Sequence, residues 1–359
     1  MHGIWSKAQQ ELVERVDNLV FTGVAKRAAE LDAKGEFPDA DFRDLHREGL
    51  LMATLPQKDG GLGYGFEGED PLSFFLIIER LAMGNASTAH CFQVHSNAAQ
   101  ILRAFGSDDQ VRRFTEPTRE LGKLFVGAGS EPGGGRAASV AKRVPGGFRV
   151  TGVKHYATNA SGSEWMTVLV RAEDTGLLET LVVHRDSQGL EIDEVFWNPA
   201  GMRACVSPIL KFEDCFVPED CILSRAGGFH TENWLGKINF GFTANDLGSL
   251  QAMLQWAVDY LRQRGQGENN IYQMMIGEML ARILRFGLAP LHVGDVEEEA
   301  GDIVAAACHA HAVFPDNART NDALVRESRL DCVDLSRRQH AAFALFEQHG
   351  VGRADESAA

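Results

Sequence analysis

The chain has 359 residues, of which 44% are hydrophobic and 24% are charged. These values are ordinary for a globular protein, and the length suffices for two or three structural layers around one core. The formal net charge of −15 argues against sequence-independent nucleic-acid binding, because such proteins neutralise phosphates with Lys and Arg. No apolar run approaches the roughly 20 residues that a membrane-spanning helix needs, so we expect no membrane partner.

The first residues and the cysteines predict a cytoplasmic location. The N-terminal sequence lacks the basic start, apolar stretch and cleavage site of a signal peptide. The six cysteines are scattered, and no two of them form a CxxC pair. Dispersed cysteines of this kind are typical of reducing compartments, so we expect buried free thiols rather than disulfides.

The first 121 residues carry apolar positions at helical spacing and predict an all-helical domain. Apolar residues recur through 7–31, and a second helix is expected to end at Gly49. A loop rich in glycine follows at 55–63. Three further helices are predicted, at about 70–83, 87–105 and 108–121.

Between residues 122 and 228 the hydrophobic period becomes strand-like. Turn signals such as Gly146-Gly147 and Asn198-Pro199 separate short apolar or alternating runs. Short strands at this spacing predict a small antiparallel β-barrel or sandwich. The runs lie at 124–126, 148–153, 165–170, 181–184 and 209–212.

From residue 229 to the end the pattern is helical again, which predicts a C-terminal four-helix bundle. The bundle helices are expected at 240–263, 270–289, 296–313 and 320–349. The predicted fold class is therefore α+β. Its three parts are an N-terminal helical domain (1–121), a central β domain (122–228) and the C-terminal bundle (229–359).

A glycine-rich loop follows the first predicted strand, and residues 127–133 match a GxGxxxG pattern. A dinucleotide-binding Rossmann unit requires a helix directly after this loop. Here Pro145-Gly146-Gly147 would interrupt any such helix, and a strand follows, so we reject the Rossmann interpretation. Two interpretations stay open at this point: a loop whose backbone amides face an electron-rich ligand, and a plain β-turn.

Several motifs along the chain occur in the order known from one family of flavoproteins. Ser130-Glu131-Pro132 is similar to that family's Thr-Glu-Pro loop, and residues 148–160 are similar to its strand pair ending in Trp-Ile-Thr-Asn. Residues 201–218 are similar to its Gly-Met-Arg segment and the strand that follows. From these motifs, which extend over nearly the whole length, the chain resembles the acyl-CoA dehydrogenase family.

The resemblance implies that FAD, with FMN as an alternative, lies between the β domain and the bundle. It places Tyr156 and Thr158 against the flavin ring, with the Thr158 hydroxyl near the ring nitrogen N5. Hydroxyls and backbone amides can stabilise negative charge on a reduced flavin without a counter-charge. The full set of implied cofactor-binding residues is Phe125, Gly127, Ser130, Gly135, Tyr156, Thr158 and Arg264.

The chain departs from the family pattern at points that bear on catalysis. Arg136 stands where the family loop has a serine, and it becomes a candidate substrate contact. The family's final helix, which supplies a catalytic glutamate, has no counterpart after Gly352, so the chain reads as C-terminally shortened. The family's second location for this base falls on Ile238. Glu232 and Asp246 are nearby, but ordinary helix residues are the simpler interpretation, and the base is left unidentified.

Two histidines lie on the predicted helix that reaches the substrate side of the flavin in the family. Related two-component flavin monooxygenases use a histidine on this helix at the flavin hydroperoxide. His95 is a candidate for this catalytic role, and His90 is a less favoured one, because histidine exchanges protons near neutral pH. Packing or substrate contact is the alternative for both residues.

The sequence therefore predicts an oxidoreductase acting on the CH–CH bond of an acyl thioester carried by CoA or a carrier protein. The alternatives are a monooxygenase using reduced flavin and O₂ on an aromatic small molecule, and a non-catalytic paralogue. Implied partners are a second copy in a homodimer or homotetramer, and an electron-transfer flavoprotein or a flavin reductase. We expect no metal site, because His309 and His311 would point to different faces of a helix.

Overall fold

The computed structural model of the protein describes residues 5–132 and 139–288. Six helices form the N-terminal part, and their ends follow from local capping. Ser6 and Ser107 each cap a helix in a capping box with the glutamine three residues later. The helices are α1 (Lys7–Leu19), α2 (Ala25–Lys34), α3 (Asp39–Arg47), α4 (Pro71–Gly84), α5 (Ala86–Phe105) and α6 (Asp108–Leu121).

The helices predicted from periodicity before residue 122 are confirmed, with one difference. The segment expected as a single helix over 7–31 is divided by a π-helical turn at Val20–Val24. In this turn the Ala25 N–H donates to the carbonyl oxygen of Val20, five residues earlier. A π-helical turn accommodates one extra residue inside a helix, a feature that hydrophobic spacing alone does not reveal.

Eight strands form one mixed sheet in the order β6-β7-β3-β2-β4-β5-β8, with β1 paired to β4. The ladders of β4 with β1 and with β2 are parallel, so the expectation that all strands pair antiparallel is corrected, while the other ladders are antiparallel as expected. Parallel pairing depends on contacts between distant segments, which local patterns do not encode. The strands are β1 (Leu124–Ala128), β2 (Val140–Val144), β3 (Gly147–Lys154), β4 (Ser163–Ala172), β5 (Leu178–His184), β6 (Leu190–Asp193), β7 (Ile209–Pro218) and β8 (Ile222–Leu223).

Helix α5 is shared by the two hydrophobic clusters of the described chain. One cluster joins the sheet to the C-terminal half of α5 and to α6, and the other joins the N-terminal helices to the first half of α5. Because 15 of its 20 residues are buried, α5 carries side chains that face the sheet as well as side chains that face the other helices. Polar residues on this helix are thereby brought into the interior.

Three helices follow the sheet: α7 (Gly228–Thr231), α8 (Trp234–Gln263) and α9 (Asn270–Leu288). The first two predicted bundle helices correspond to α8 and α9, and those at 296–313 and 320–349 lie outside the described residues. The chain divides into two compact units after Ala252, inside α8. The three domain boundaries given above remain predictions. No helix in the described ranges is long and apolar enough to cross a membrane.

Four of the six cysteines lie in the described part of the chain, and all four are buried free thiols, as expected. Cys91 of α5 and Cys205 lie close together, and each thiol contacts a backbone carbonyl of the other segment. Burial is the main cause that raises the pKa of Cys91 and also that of Cys221. These thiols therefore stay protonated and act as small core residues at neutral pH.

Candidate functional site

The C-terminal end of β1 presents backbone with little side chain above it. A Cβ atom added to Gly127 would meet only the Ala98 Cβ, at 3.9 Å. Ser130, two residues after the strand, has an exposed side chain and accepts the His155 N–H at its carbonyl oxygen, 2.9 Å away. The end of β1 is thus tied to the segment following β3.

The segment after β3 bends sharply and places Thr158 in the interior. Tyr156 and Asn159 have positive φ angles of 57° and 76°, which non-glycine residues rarely adopt. The Asn159 side-chain amide holds this bend by donating to the carbonyl oxygens of Cys91, at 2.8 Å, and Phe125, at 3.2 Å. As a result the Tyr156 ring is 56% exposed, whereas Thr158 is 2% exposed.

The Thr158 hydroxyl joins two other polar side chains. Its oxygen lies 2.7 Å from the Ser207 hydroxyl oxygen and 3.4 Å from His90 Nε2. The ring of His90, on α5, packs against the Phe242 ring of α8 at a centroid distance of 5.6 Å. The sheet, α5 and α8 therefore meet at this hydroxyl cluster, which we define as His90, Thr158 and Ser207.

His90 is neutral at physiological pH in this setting. Burial lowers its pKa from 6.5 to about 4, because the charged imidazolium loses hydration inside the protein. A neutral ring has one nitrogen that donates and one that accepts a hydrogen bond. At neutral pH the cluster therefore offers hydroxyl and imidazole groups and no formal charge.

His95 is placed differently from the expectation that it acts on a flavin or substrate. Its side chain is fully buried, and Nδ1 accepts the Phe125 N–H at 2.9 Å. Nε2 lies 2.8 Å from the Leu51 carbonyl oxygen and donates to it. Both ring nitrogens are thus used by backbone groups, and burial lowers the His95 pKa to about 4. The structure gives His95 a packing and linking role.

The other residues expected at the site do not all lie together in the structure. Phe125 is 1% exposed and its ring stacks on His95, so its side chain belongs to the core rather than to a ligand-facing surface. Arg264 lies in the second unit with its guanidinium over the Tyr260 ring. Gly135 and Arg136 fall outside the described residues. Gly127, Ser130, Tyr156, Thr158 and His90 are the predicted residues that lie around the bend and the end of β1.

A buried ion pair anchors the loop after β1. Lys154 Nζ lies 2.5 Å from Glu131 Oε1, and the Lys154 side chain is 1% exposed. The same carboxylate oxygen accepts the Ser139 N–H at 2.7 Å. Burial lowers the pKa of Lys154, whereas the hydrogen bonds from Lys154 and Ser139 outweigh burial and lower the pKa of Glu131. Glu131 thereby links the start of the loop that carries Ser130 to Ser139, where the loop ends, and to Lys154 of β3.

Ser207 was absent from the residues expected at the site. It lies in the segment similar to the family's Gly-Met-Arg motif, but nothing in the sequence links it to Thr158, which is 49 residues away.

The structure also shows the surroundings of the two carboxylates near Ile238. Glu232 pairs with Arg225 at 2.6 Å, and Asp246 is exposed, so both act as ordinary surface groups. Ile238 packs against the core.

The groups around the bend match the needs of a flat, electron-accepting ring such as a flavin. Gly127 has no side chain and lies next to the Ala98 methyl, and the exposed Tyr156 side chain offers an aromatic surface. Thr158 and Ser207 supply hydroxyls without charge. In the described residues, no three His, Cys, Asp or Glu side chains are grouped as metal ligands.

A cavity of about 760 Å³ lies beside the C-terminal half of α5, away from the hydroxyl cluster. Its walls come from the loop between Thr54 and Asp70 together with Gln100 and Trp234. Gln100 accepts the Phe66 N–H at 2.7 Å, while its Nε2 has no hydrogen-bond partner among the described residues. The volume is typical of a ligand pocket, but neither His90 nor Thr158 lines it.

Comparisons with known proteins point to one family. The acyl-CoA dehydrogenase N-terminal domain family matches residues 6–120. Benzylmalonyl-CoA dehydrogenase of Aromatoleum aromaticum is 30% identical over 251 residues, which are 68% of this chain and 65% of the relative. The chain therefore spans just under two thirds of that relative's length.

Solved structures share the fold. Butyryl-CoA dehydrogenase from Megasphaera elsdenii aligns with a TM-score of 0.72 at 20% identity, covering 92% of this chain and 94% of the other. An acyl-CoA dehydrogenase complexed with FAD from Bacillus anthracis gives a TM-score of 0.69 at 19% identity, covering 91% and 63% of the two chains. The arrangement of N-terminal helices and central sheet described above is thus that of these enzymes.

Proposed function

We propose that this chain, which belongs to the acyl-CoA dehydrogenase superfamily, is a flavin-dependent oxidoreductase. Its proposed reaction is oxidation of the CH–CH bond of an acyl thioester. The observation that carries the proposal is the uncharged hydroxyl cluster of His90, Thr158 and Ser207, where the sheet, α5 and α8 meet. FAD is the proposed cofactor, since a structural neighbour is complexed with it.

Gly127, Tyr156 and Thr158 are the residues proposed to hold the flavin. Gly127 has no side chain that would obstruct the ring, Tyr156 offers an aromatic surface, and the Thr158 hydroxyl offers one hydrogen bond. When bound, the flavin supplies the electron-accepting ring of the reaction. Around that ring, the protein contributes orientation and uncharged hydrogen-bonding groups.

His90 is the proposed proton acceptor. Oxidation next to a thioester requires a base that removes a proton from carbon. Among the described residues, His90 is the titratable group within reach of Thr158, at 3.4 Å. Its pKa of about 4 gives it a basicity close to that of a carboxylate in water. Gln93, one turn further along α5, donates to the Ile238 carbonyl oxygen and keeps this part of α8 beside His90.

The monooxygenase alternative rested on His95 and on the missing catalytic base, and it loses the first support because both nitrogens of the His95 ring are used by backbone groups. For electron transfer we propose an electron-transfer flavoprotein as the acceptor, and for assembly a homodimer or homotetramer. Light scattering of the purified protein tests the assembly. Reoxidation of the reduced protein by an electron-transfer flavoprotein tests the acceptor.

The proposed function is tested on the purified full-length protein. We expect a yellow protein whose released cofactor has the mass of FAD, and anaerobic bleaching of its visible absorption by at least one member of a straight-chain and branched acyl-CoA panel. His90→Gln should retain the flavin and lose at least about 100-fold in the bleaching rate, since removal of a general base has effects of this size.

Two results would contradict the proposal. A colourless protein that takes up neither FAD nor FMN would remove the cofactor and the function together. A flavin-loaded protein that no acyl-CoA reduces would remove the substrate class and favour the non-catalytic interpretation. Unchanged bleaching in His90→Gln would remove only the role of His90.

A further inference from the structure

We propose that Ser207 is a positioning residue of the flavin site and acts through the hydroxyl of Thr158. The inference rests on the flavin position proposed above. Ser207 is 1% exposed, and its hydroxyl oxygen lies 2.7 Å from that of Thr158. Among the described residues, Thr158 is the hydrogen-bond partner of this hydroxyl. A short bond between two buried hydroxyls fixes the direction of the donated proton and leaves the proton of the accepting hydroxyl for another partner.

The backbone on both sides of this bond is held in unusual conformations. Val206, directly before Ser207, has φ 37° and ψ 79°. A positive φ is rare for any side chain and is strained for a β-branched one. On the other side, Tyr156 and Asn159 also have positive φ. Such conformations persist only where the surrounding structure enforces them, and they concentrate at functional sites.

A backbone hydrogen bond locks the two strained segments together. The Ala157 N–H donates to the Pro208 carbonyl oxygen at 2.9 Å, so the residues next to Thr158 and Ser207 are also paired. Side-chain and backbone bonds therefore hold the two hydroxyls at a fixed separation. The strained backbone at Val206 brings the Ser207 hydroxyl against that of Thr158.

The chemical consequence follows from proton count. A hydroxyl has one proton to donate and two lone pairs to accept with. When Ser207 donates to Thr158, the Thr158 proton is available to His90 Nε2, at 3.4 Å, or to a bound flavin; when Thr158 donates to Ser207, Thr158 can only accept. A bound flavin would accept a hydrogen bond at its ring nitrogen when oxidised and would donate one when reduced. Ser207 would thus let Thr158 serve either state.

A double-mutant cycle on the full-length, flavin-loaded protein tests this inference. The variants are Ser207→Ala, Thr158→Val and the double variant, and the readouts are the flavin midpoint potential and visible spectrum. We expect Ser207→Ala to shift the potential in the same direction as Thr158→Val, and to add no further shift in the Thr158→Val background. Ser207→Thr, which keeps the hydroxyl, should restore the wild-type potential.

Flavin affinity gives a second readout. Loss of one supporting hydrogen bond should raise the flavin Kd of Ser207→Ala by up to about tenfold. Thr115→Val is the matched control, because Thr115 is 1% exposed and its hydroxyl donates to the Val111 carbonyl oxygen within α6. This control should lose a similar amount of thermal stability and leave the flavin potential and Kd unchanged.

Two outcomes would overturn the role of Ser207. One is a lowered melting temperature in Ser207→Ala with an unchanged potential and spectrum, which is the signature of a purely structural residue. The other is an equal shift with and without the Thr158 hydroxyl, which would mean that Ser207 acts independently. A wild-type protein that binds no flavin would instead overturn the proposed function, so the two failures are distinguishable.

Discussion

His90 and His95 lie five positions apart on α5, yet their rings have different surroundings. His95 connects the Leu51 carbonyl to the Phe125 amide inside the core, whereas His90 reaches the Thr158 hydroxyl. Their sequence context gives no basis for this distinction, because both lie among small and apolar residues of one helix. The separation arises from the packing of α5 between the sheet and the other helices.

The lowered pKa values of these histidines predict a pH dependence of stability. Both values fall from 6.5 to about 4, so between these limits the unfolded chain binds more protons than the folded one. The unfolding free energy should therefore decrease as the pH falls from 6.5 towards 4. The decrease should reach roughly 3 kcal/mol per histidine.

Urea unfolding between pH 7 and 4.5 measures this dependence. His95→Gln should be less stable at neutral pH, because it loses at least one of the two backbone contacts. It should also show a shallower decline with falling pH, since one buried imidazole is gone. A decline as steep as that of the wild type would contradict the assignment to His95.

The site residues that the sequence identified are those within local motifs. Tyr156 and Thr158 follow a recognisable strand pair, and the structure places them at the bend. The resemblance also implied Phe125, whose side chain lies in the core because β1 is buried on both faces. Ser207 was missed because its partner is 49 residues away and the link depends on the positive φ of Val206.

Among the elements, α2, α3 and α5 are connected by one buried carboxylate. Asp41 of α3 is 0% exposed and accepts from Arg27 Nε of α2 and from the Thr88 hydroxyl of α5, each at 2.6 Å. Burial raises the pKa of Asp41, and the two hydrogen bonds partly offset this rise. The Asp41 carboxylate therefore links the three helices through hydrogen bonds inside the protein.

Asp41→Asn should lower the unfolding free energy by about 2 kcal/mol, because it removes the charge from a buried acceptor of two hydrogen bonds while Arg27 keeps its pair with Asp44. Asp39→Asn is the matched control, as it changes an exposed aspartate in the first turn of the same helix and should cost at most about 1 kcal/mol through the helix dipole. Equal losses in the two variants, measured by chemical denaturation, would contradict the importance of the network.

Element prediction succeeded where local signals are strong. The helices predicted at about 70–83, 87–105 and 108–121 begin within one residue of these positions in the structure. Strands β6 and β8 were missed because they have four and two residues, too few for a period to be recognised. Strand β2, with exposed Lys142 and Arg143, is defined mainly by its pairing with β3.

For the whole molecule, flavin binding should couple to folding. A ligand that binds only the folded state stabilises it by about 2.7 kcal/mol at 100 times its Kd. We therefore expect FAD added to flavin-stripped protein to raise the melting temperature by several degrees. Thr158→Val should shift the titration to higher FAD concentration. A melting temperature that does not depend on FAD would contradict the proposed cofactor.

The π-helical turn at Val20–Val24 marks a place where the number of residues in the chain can change without a change of helix direction. Successive residues of a helix are rotated by about 100°, so a deletion in a regular helix turns every later side chain. A π-helical turn already holds one extra residue, and deleting one residue within it would restore regular α-helix with Arg27 still facing Asp41. In homologues, we expect one-residue gaps at this turn to be compatible with Arg27, Asp41 and Thr88.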